Sequence, residues 1–151
     1  MKRTSLQTQP YTLSNEATRI ESLGALIRIQ AHTEQTGGAF NLFDVLLPIR
    51  YETQLHIHYA EDVAIQVRQG TLDLFWGNER KQAENGSFFF QPRGTPHGFR
   101  VTGTLPAQIS YMTTPAGFDR FVLEYSQPIP DIEKMLLAAR YQIEVLGPLP
   151  E

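Results

Sequence analysis

Three histidines carry the chemistry this sequence can offer. His56 and His58 stand two residues apart in the run QLHIH, and His97 follows Pro92, Gly94 and Pro96 in PRGTPHGFR. Side chains two apart in an extended strand leave on the same face, so the His-x-His pair offers two imidazoles together. Two neutral nitrogen donors side by side suit a divalent ion, although paired histidines also occur as ordinary polar surface, and the motif needs its structural context. His32 opens the HTEQTGG loop and reads as surface. The chain has no cysteine, which excludes thiolate metal sites, disulfides and cysteine nucleophiles together. Neither a complete Ser-His-Asp arrangement nor a phosphate-cradling loop is present, so hydrolase and nucleotide chemistry have no support.

The surrounding text supplies strands to hold these residues. ALIRIQA alternates Ala25, Ile27, Ile29 and Ala31 against Leu26, Arg28 and Gln30, and VAIQVRQG alternates Val63, Ile65 and Val67 against Ala64, Gln66 and Arg68. AFNLFDVLL, TLDLFW, SFFFQ, HGFRV and AQISYM read as further short strands. Thr36-Gly37-Gly38, Gly70 and Gly77-Asn78 punctuate them, and Asn85-Gly86 reads as a hairpin turn before SFFFQ. Short strands at this spacing, with no helical period between them, predict an antiparallel barrel or sandwich. A helical period begins only after Gly117. Phe118, Phe121, Val122 and Tyr125 fall at i, i+3, i+4 and i+7, and Ile132, Met135, Leu136 and Ala139 repeat the pattern. IEVLGPLP closes the chain as an extended piece, and residues 1 to about 20 read as an arm or an edge strand.

At 151 residues, 41% hydrophobic and 19% charged, the chain suffices for one domain with its own core. Thirteen basic against sixteen acidic residues leave a net charge of -3, which gives no positive field for a nucleic acid. No segment approaches the roughly 20 apolar residues of a membrane span. Met1-Lys2-Arg3 is followed by the polar run SLQTQP, unlike a signal peptide. The expectation is a cytoplasmic protein with a small-molecule partner, and with neither nucleic acid nor membrane.

The spacing around the histidines resembles the cupin superfamily, whose two motifs read G-x5-H-x-H-x(3 or 4)-E-x6-G and G-x5-P-x-G-x2-H-x3-N. This chain matches the first at His56, His58 and Gly70, and the second at Gly86, Pro92, Gly94 and His97. AGFDRF and LAARYQIEVLG are similar to the helix and tail of small single-domain, quercetin dioxygenase-like cupins, so the resemblance extends over residues 21 to 151. It implies an all-β fold, an antiparallel double-stranded β-helix (jelly-roll) cupin barrel with short C-terminal helices. The implied division is an N-terminal arm over 1–20, the barrel over 21–115, and helices and tail packed on it over 116–151. It also implies a divalent metal on His56, His58 and His97, with Fe(II) first and Zn, Ni, Mn or Cu as alternatives, and a homodimer. Pro92 and Pro96 stiffen the approach to His97, and aim it at the other two from a different strand. Such a facial set leaves positions for water, substrate or dioxygen.

Three positions depart from the motifs: Arg50 replaces the first glycine, Val101 the asparagine, and Val63 the glutamate counted back from Gly70. Three neutral nitrogens would leave a bound ion nearly its full charge, which favours an anionic substrate. A second assignment takes the acid as Asp62, with three residues between it and His58. Alternation with Val63, Ile65 and Val67 instead turns Asp62 outwards, beside Glu61 in a solvated acidic turn. Gln54, on the face of His56, with Val63 and Phe99 are the candidate lining of a substrate pocket. Phe88, Phe89 and Phe90 supply apolar surface to core or pocket. The implied function is a metal-dependent small-molecule enzyme resembling cupin dioxygenases; a non-catalytic binding or sensing cupin, or a metal-assisted isomerase, is the alternative.

Overall fold

The computed structural model describes residues 18–151, and the period-2 text folds there into eleven strands. In chain order they are β1 (Thr18–Ser22), β2 (Ala25–Ala31), β3 (Asn41–Leu47), β4 (Leu55–His58), β5 (Asp62–Gln69) and β6 (Thr71–Trp76). Then come β7 (Glu79–Ala83), β8 (Phe88–Gln91), β9 (His97–Thr102) and β10 (Ala107–Thr114). The helices α1 (Phe118–Tyr125) and α2 (Asp131–Arg140) follow, and β11 (Ile143–Gly147) ends the series. One sheet runs β1-β2-β3-β10-β5-β8 and the other β11-β4-β9-β6-β7, with antiparallel pairing in both. This is the jelly-roll expected from the sequence.

Alternation decides what lies between the sheets. Ile29, Phe43, Val67 and Ile109 from the six-stranded sheet pack in one core with Leu72, Leu74 and Val101 from the five-stranded one. Each such side chain stabilises the fold by about 1.5–3 kcal/mol on burial. Phe118, Phe121 and Val122 of α1 join the same core, so the helix packs onto the barrel.

Residues 18–22 form the edge strand β1, one of the two readings of residues 1 to about 20, while residues 1–17 lie outside the described residues. The structure redraws three expectations. The tail does more than pack on the barrel, because β11 pairs with β4 and extends the second sheet. Asn85-Gly86 makes a turn, with Gly86 N donating to Val67 O at 2.8 Å, but not a hairpin. The strands on either side join different sheets, β7 on β6 and β8 on β5, which is how a jelly-roll crosses its own core. The expected apolar face of α2 is also rotated. Ile132, Met135 and Leu136 are exposed, whereas Leu137 and Ala138 are buried. The turn through Tyr141 and Gln142 leads directly into β11, where Ile143 is buried beside Leu137 and Ala138 in the same core.

Candidate metal centre

β4 and β9 are antiparallel neighbours, and their register sets His56 directly opposite His97. His58, two residues on, faces the same way by strand alternation. The ring centroids are 4.5 Å apart for His56 and His97, 5.0 Å for His56 and His58, and 5.3 Å for His58 and His97. One nitrogen from each ring lies within 4.8 Å of the others. The structure therefore brings the three sequence-predicted ligand residues together.

Hydrogen bonds at the back of each ring fix which nitrogen is offered. His56 Nδ1 meets the Gln54 carbonyl at 2.6 Å and His97 Nδ1 the Thr95 carbonyl at 2.9 Å. A carbonyl only accepts, so both Nδ1 atoms carry the proton. His58 Nδ1 meets the Glu61 carboxylate at 2.7 Å, with both residues buried. At His56 and His97 this leaves Nε2 with a lone pair, the form a metal takes. Burial first, and then the neighbouring histidine charge, push His56 down to about 4 and His97 to about 3. Both rings are neutral near neutral pH.

The bends around the histidines are built for close approach. Gly94 has φ +82°, in the left-handed region that favours glycine, and its N–H donates to His58 O at 2.8 Å. Gly98 faces the segment leading to β4: a Cβ there would lie 2.6 Å from Leu149 Cδ2 and 2.8 Å from Thr53 Oγ1. Outside the barrel, Asp62 accepts from Arg93 N at 2.8 Å and Nε at 3.1 Å, clasping the start of β5 to the bend before His97. Asp62 thus points outwards, as alternation predicts, and does not belong to the histidine group.

Several candidates occupy other places than expected. Glu61 is not in a solvated turn; it is 6% exposed and orients His58. Spacing alone cannot reveal this, since a tight turn between β4 and β5 folds the carboxylate back under the ring. Val63 is 1% exposed within the apolar core and does not line the cavity beside the histidines, because its inward position is filled by packing. Gln54 and Phe99 do line that cavity, and Gln54 contributes its carbonyl to His56. Phe88 and Phe90 face solvent, 65% and 53% exposed, on the outer side of β8. Val101, at the motif's asparagine position, is a core residue.

The cavity, of about 1140 Å³, opens between the sheets, and its wall carries the three histidines among the rings of Phe43, Tyr111, Phe118 and Phe121. It also carries Gln91, which the sequence reading overlooked although SFFFQ places it at an inward position. Gln91 is 5% exposed, and neither Nε2 nor Oε1 has a hydrogen-bond partner among the described residues. Leaving such a group unsatisfied costs about 1–3 kcal/mol. A second grouping, His32, Glu34 and Asp119, is committed elsewhere. Asp119 accepts from Thr33 N at 2.9 Å and Oγ1 at 2.6 Å, and Glu34 pairs with Arg120 at 3.0 Å, tying the loop to α1.

Comparison with known proteins agrees with the architecture. The family profile described as a cupin domain matches residues 43–113. An uncharacterized protein of Methanocaldococcus jannaschii is 26% identical over 87 residues, covering 57% of this chain and 70% of its own. The structure of KdgF from Halomonas sp. superposes with a TM-score of 0.61 at 21% identity, over 72% of this chain and 96% of that one. The polyketide cyclase RemF from Streptomyces resistomycificus gives 0.58 at 18% identity, over 71% and 80%. At these identities the structural likeness concerns the fold. No helix among the described residues is long and apolar enough to cross a membrane.

Proposed function

The chain is a small cupin-superfamily protein, and from that premise we propose that it is a metal-dependent small-molecule enzyme of the quercetin dioxygenase-like type. It holds one divalent ion, Fe(II) first, on His56, His58 and His97, and works in the cytoplasm as a homodimer. The observation that carries this reading is the convergence of the rings: all three Nδ1 atoms are engaged by protein groups, and one nitrogen from each ring lies within 4.8 Å of the others. The donor set fits a borderline divalent cation, since imidazole suits iron, zinc, nickel and copper. Bound there, such an ion supplies Lewis acidity and, if it is iron, redox exchange with dioxygen.

The protein's own residues then hold and shield a ligand. The aromatic wall excludes water and accepts a planar, unsaturated skeleton. The ligands are neutral, so the site favours an anionic donor with two adjacent oxygens, such as a catechol, a flavonol or a β-diketone. Assembly as a dimer is supported by the exposed Ile132, Met135 and Leu136 of α2, an apolar patch on an otherwise polar helix face.

The test is to load the protein anaerobically with Fe(II), titrate it with those three compound classes, and then admit oxygen and follow its uptake. The expected result is a change in the metal spectrum saturating at one ligand per chain, followed by oxygen consumption. Failure of every compound to change the spectrum or consume oxygen would leave a binding module without redox chemistry.

A further inference from the structure

Gln91 is the last residue of β8, beside Pro92 and opposite Val63 across the ladder with β5. Its surroundings do not satisfy it. Val63 is hydrocarbon, and Thr113, next along the register, donates its hydroxyl to Asn41 Oδ1 at 3.4 Å. Other polar groups on the cavity wall serve the protein itself. Ser22 donates to Val122 O at 2.9 Å, Tyr51 to Leu23 O at 2.7 Å, and Thr53 Oγ1 accepts from Phe99 N at 3.1 Å. The Gln91 amide stands apart, with donor and acceptor both buried and both without a partner among the described residues. Folded proteins rarely leave such groups unpaired, and an isosteric apolar residue would pack the same space without that cost.

We propose that Gln91 sets the specificity of the cavity. A carboxamide has both its oxygen and its nitrogen engaged at once by a group that presents an acceptor and a donor side by side. The ligand feature it selects is therefore a neutral carboxamide, a protonated carboxyl or a hydroxy-ketone, carried on the planar skeleton the aromatic wall accepts. A plain ketone has no donor, and an ionised carboxylate has none either; each leaves Gln91 Oε1 unpaired. A site built around a hydrogen-bonding group rejects analogues that lack the partner far more strongly than a hydrocarbon pocket rejects a misfit. This inference rests on the cavity being a small-molecule site but not on which metal, if any, it holds.

The experiment uses the full chain and a matched pair of probes. Benzamide offers donor and acceptor on one carbon, and acetophenone keeps the ring and carbonyl but lacks the N–H. Their dissociation constants are measured by ligand-observed NMR on the wild type and on Gln91→Met, which has similar volume and no amide. Each protein is measured metal-free and again after stoichiometric Zn(II), with zinc retention recorded in the same samples. Benzamide should bind the wild type about tenfold more tightly than acetophenone. In Gln91→Met that ratio should fall to about one, with a melting temperature at or above that of the wild type. Equal binding of the two probes to the wild type, no measurable benzamide binding, or a preference that survives Gln91→Met would overturn the proposal. So would a melting temperature several degrees lower in Gln91→Met, which would make the amide a structural element. Loss of zinc with the benzamide preference intact would count against the metal reading alone.

Discussion

His58 donates its Nδ1 proton to the Glu61 carboxylate across 2.7 Å, and both side chains are buried. The pair makes Glu61, not Asp62, the acidic residue that acts on the histidine cluster. Outer-shell carboxylates of this kind hold the ring's tautomer and raise its basicity as a ligand. Glu61→Gln should therefore weaken divalent-metal affinity by about 10- to 100-fold. Asp62→Asn should leave it nearly unchanged, because Asp62 faces outwards to Arg93. Competition titration with a chromophoric chelator measures both. Equal losses in the two variants would place the acid the other way round.

Stability of the metal-free protein should fall as the pH drops below about 6.5. The unfolded chain takes up protons at its histidines from about that pH, while the fold resists them at His56 until about 4 and at His97 until about 3. In that window the unfolded state binds more protons, so acid favours unfolding. His97 alone accounts for roughly 2 kcal/mol between pH 6.5 and pH 5, and His56 acts in the same direction. Urea denaturation across this range should show the decline, and His97→Phe should flatten it. A flat profile in the wild type would contradict the burial argument.

Arg50 stands where the motif has glycine, and its backbone keeps a left-handed φ of +64°. A side chain in that region costs about 1–2 kcal/mol relative to glycine, partly offset by the extra entropy glycine gives the unfolded chain. Arg50→Gly should raise stability by up to about 1 kcal/mol, since the Arg50 side chain is exposed. A lower melting temperature in that variant would show that Arg50 makes a contact worth more than its strain.

The exposed apolar residues of α2 give the assembly prediction. Sedimentation equilibrium at micromolar concentration should return twice the 17.1 kDa monomer mass. Met135→Lys should shift the equilibrium towards monomer while leaving the circular dichroism unchanged. A monomer mass for the wild type would refute the dimer.

Alternation and turn residues made most of the barrel legible. Val63, Ile65 and Val67 are all buried as read from VAIQVRQG, and the histidine triangle follows from a His-x-His strand and a proline-stiffened bend. What escaped were relations that depend on where the chain returns. Asn85-Gly86 looks the same whether it joins two strands of one sheet or crosses between sheets. The face α2 buries carries Leu137 and Ala138, not the Ile132, Met135 and Leu136 of the helix's own apolar period. Glu61 is an acidic residue in a polar run, and only the tight return from β4 to β5 turns it under His58. Gln91 shows the opposite error, a polar letter at an inward position whose importance appears only when its missing partners are counted.

The central claim is a divalent ion held by three histidines, and metal content per chain tests it most directly. Protein purified from its own source without chelators should contain close to one redox-active divalent ion per chain. His97→Ala, prepared identically and checked for native circular dichroism, should contain almost none. Wild-type protein free of metal, which also fails to take up Fe(II) or Zn(II) added in slight excess, would contradict the claim, and so would a His97→Ala variant that retains as much metal as the wild type.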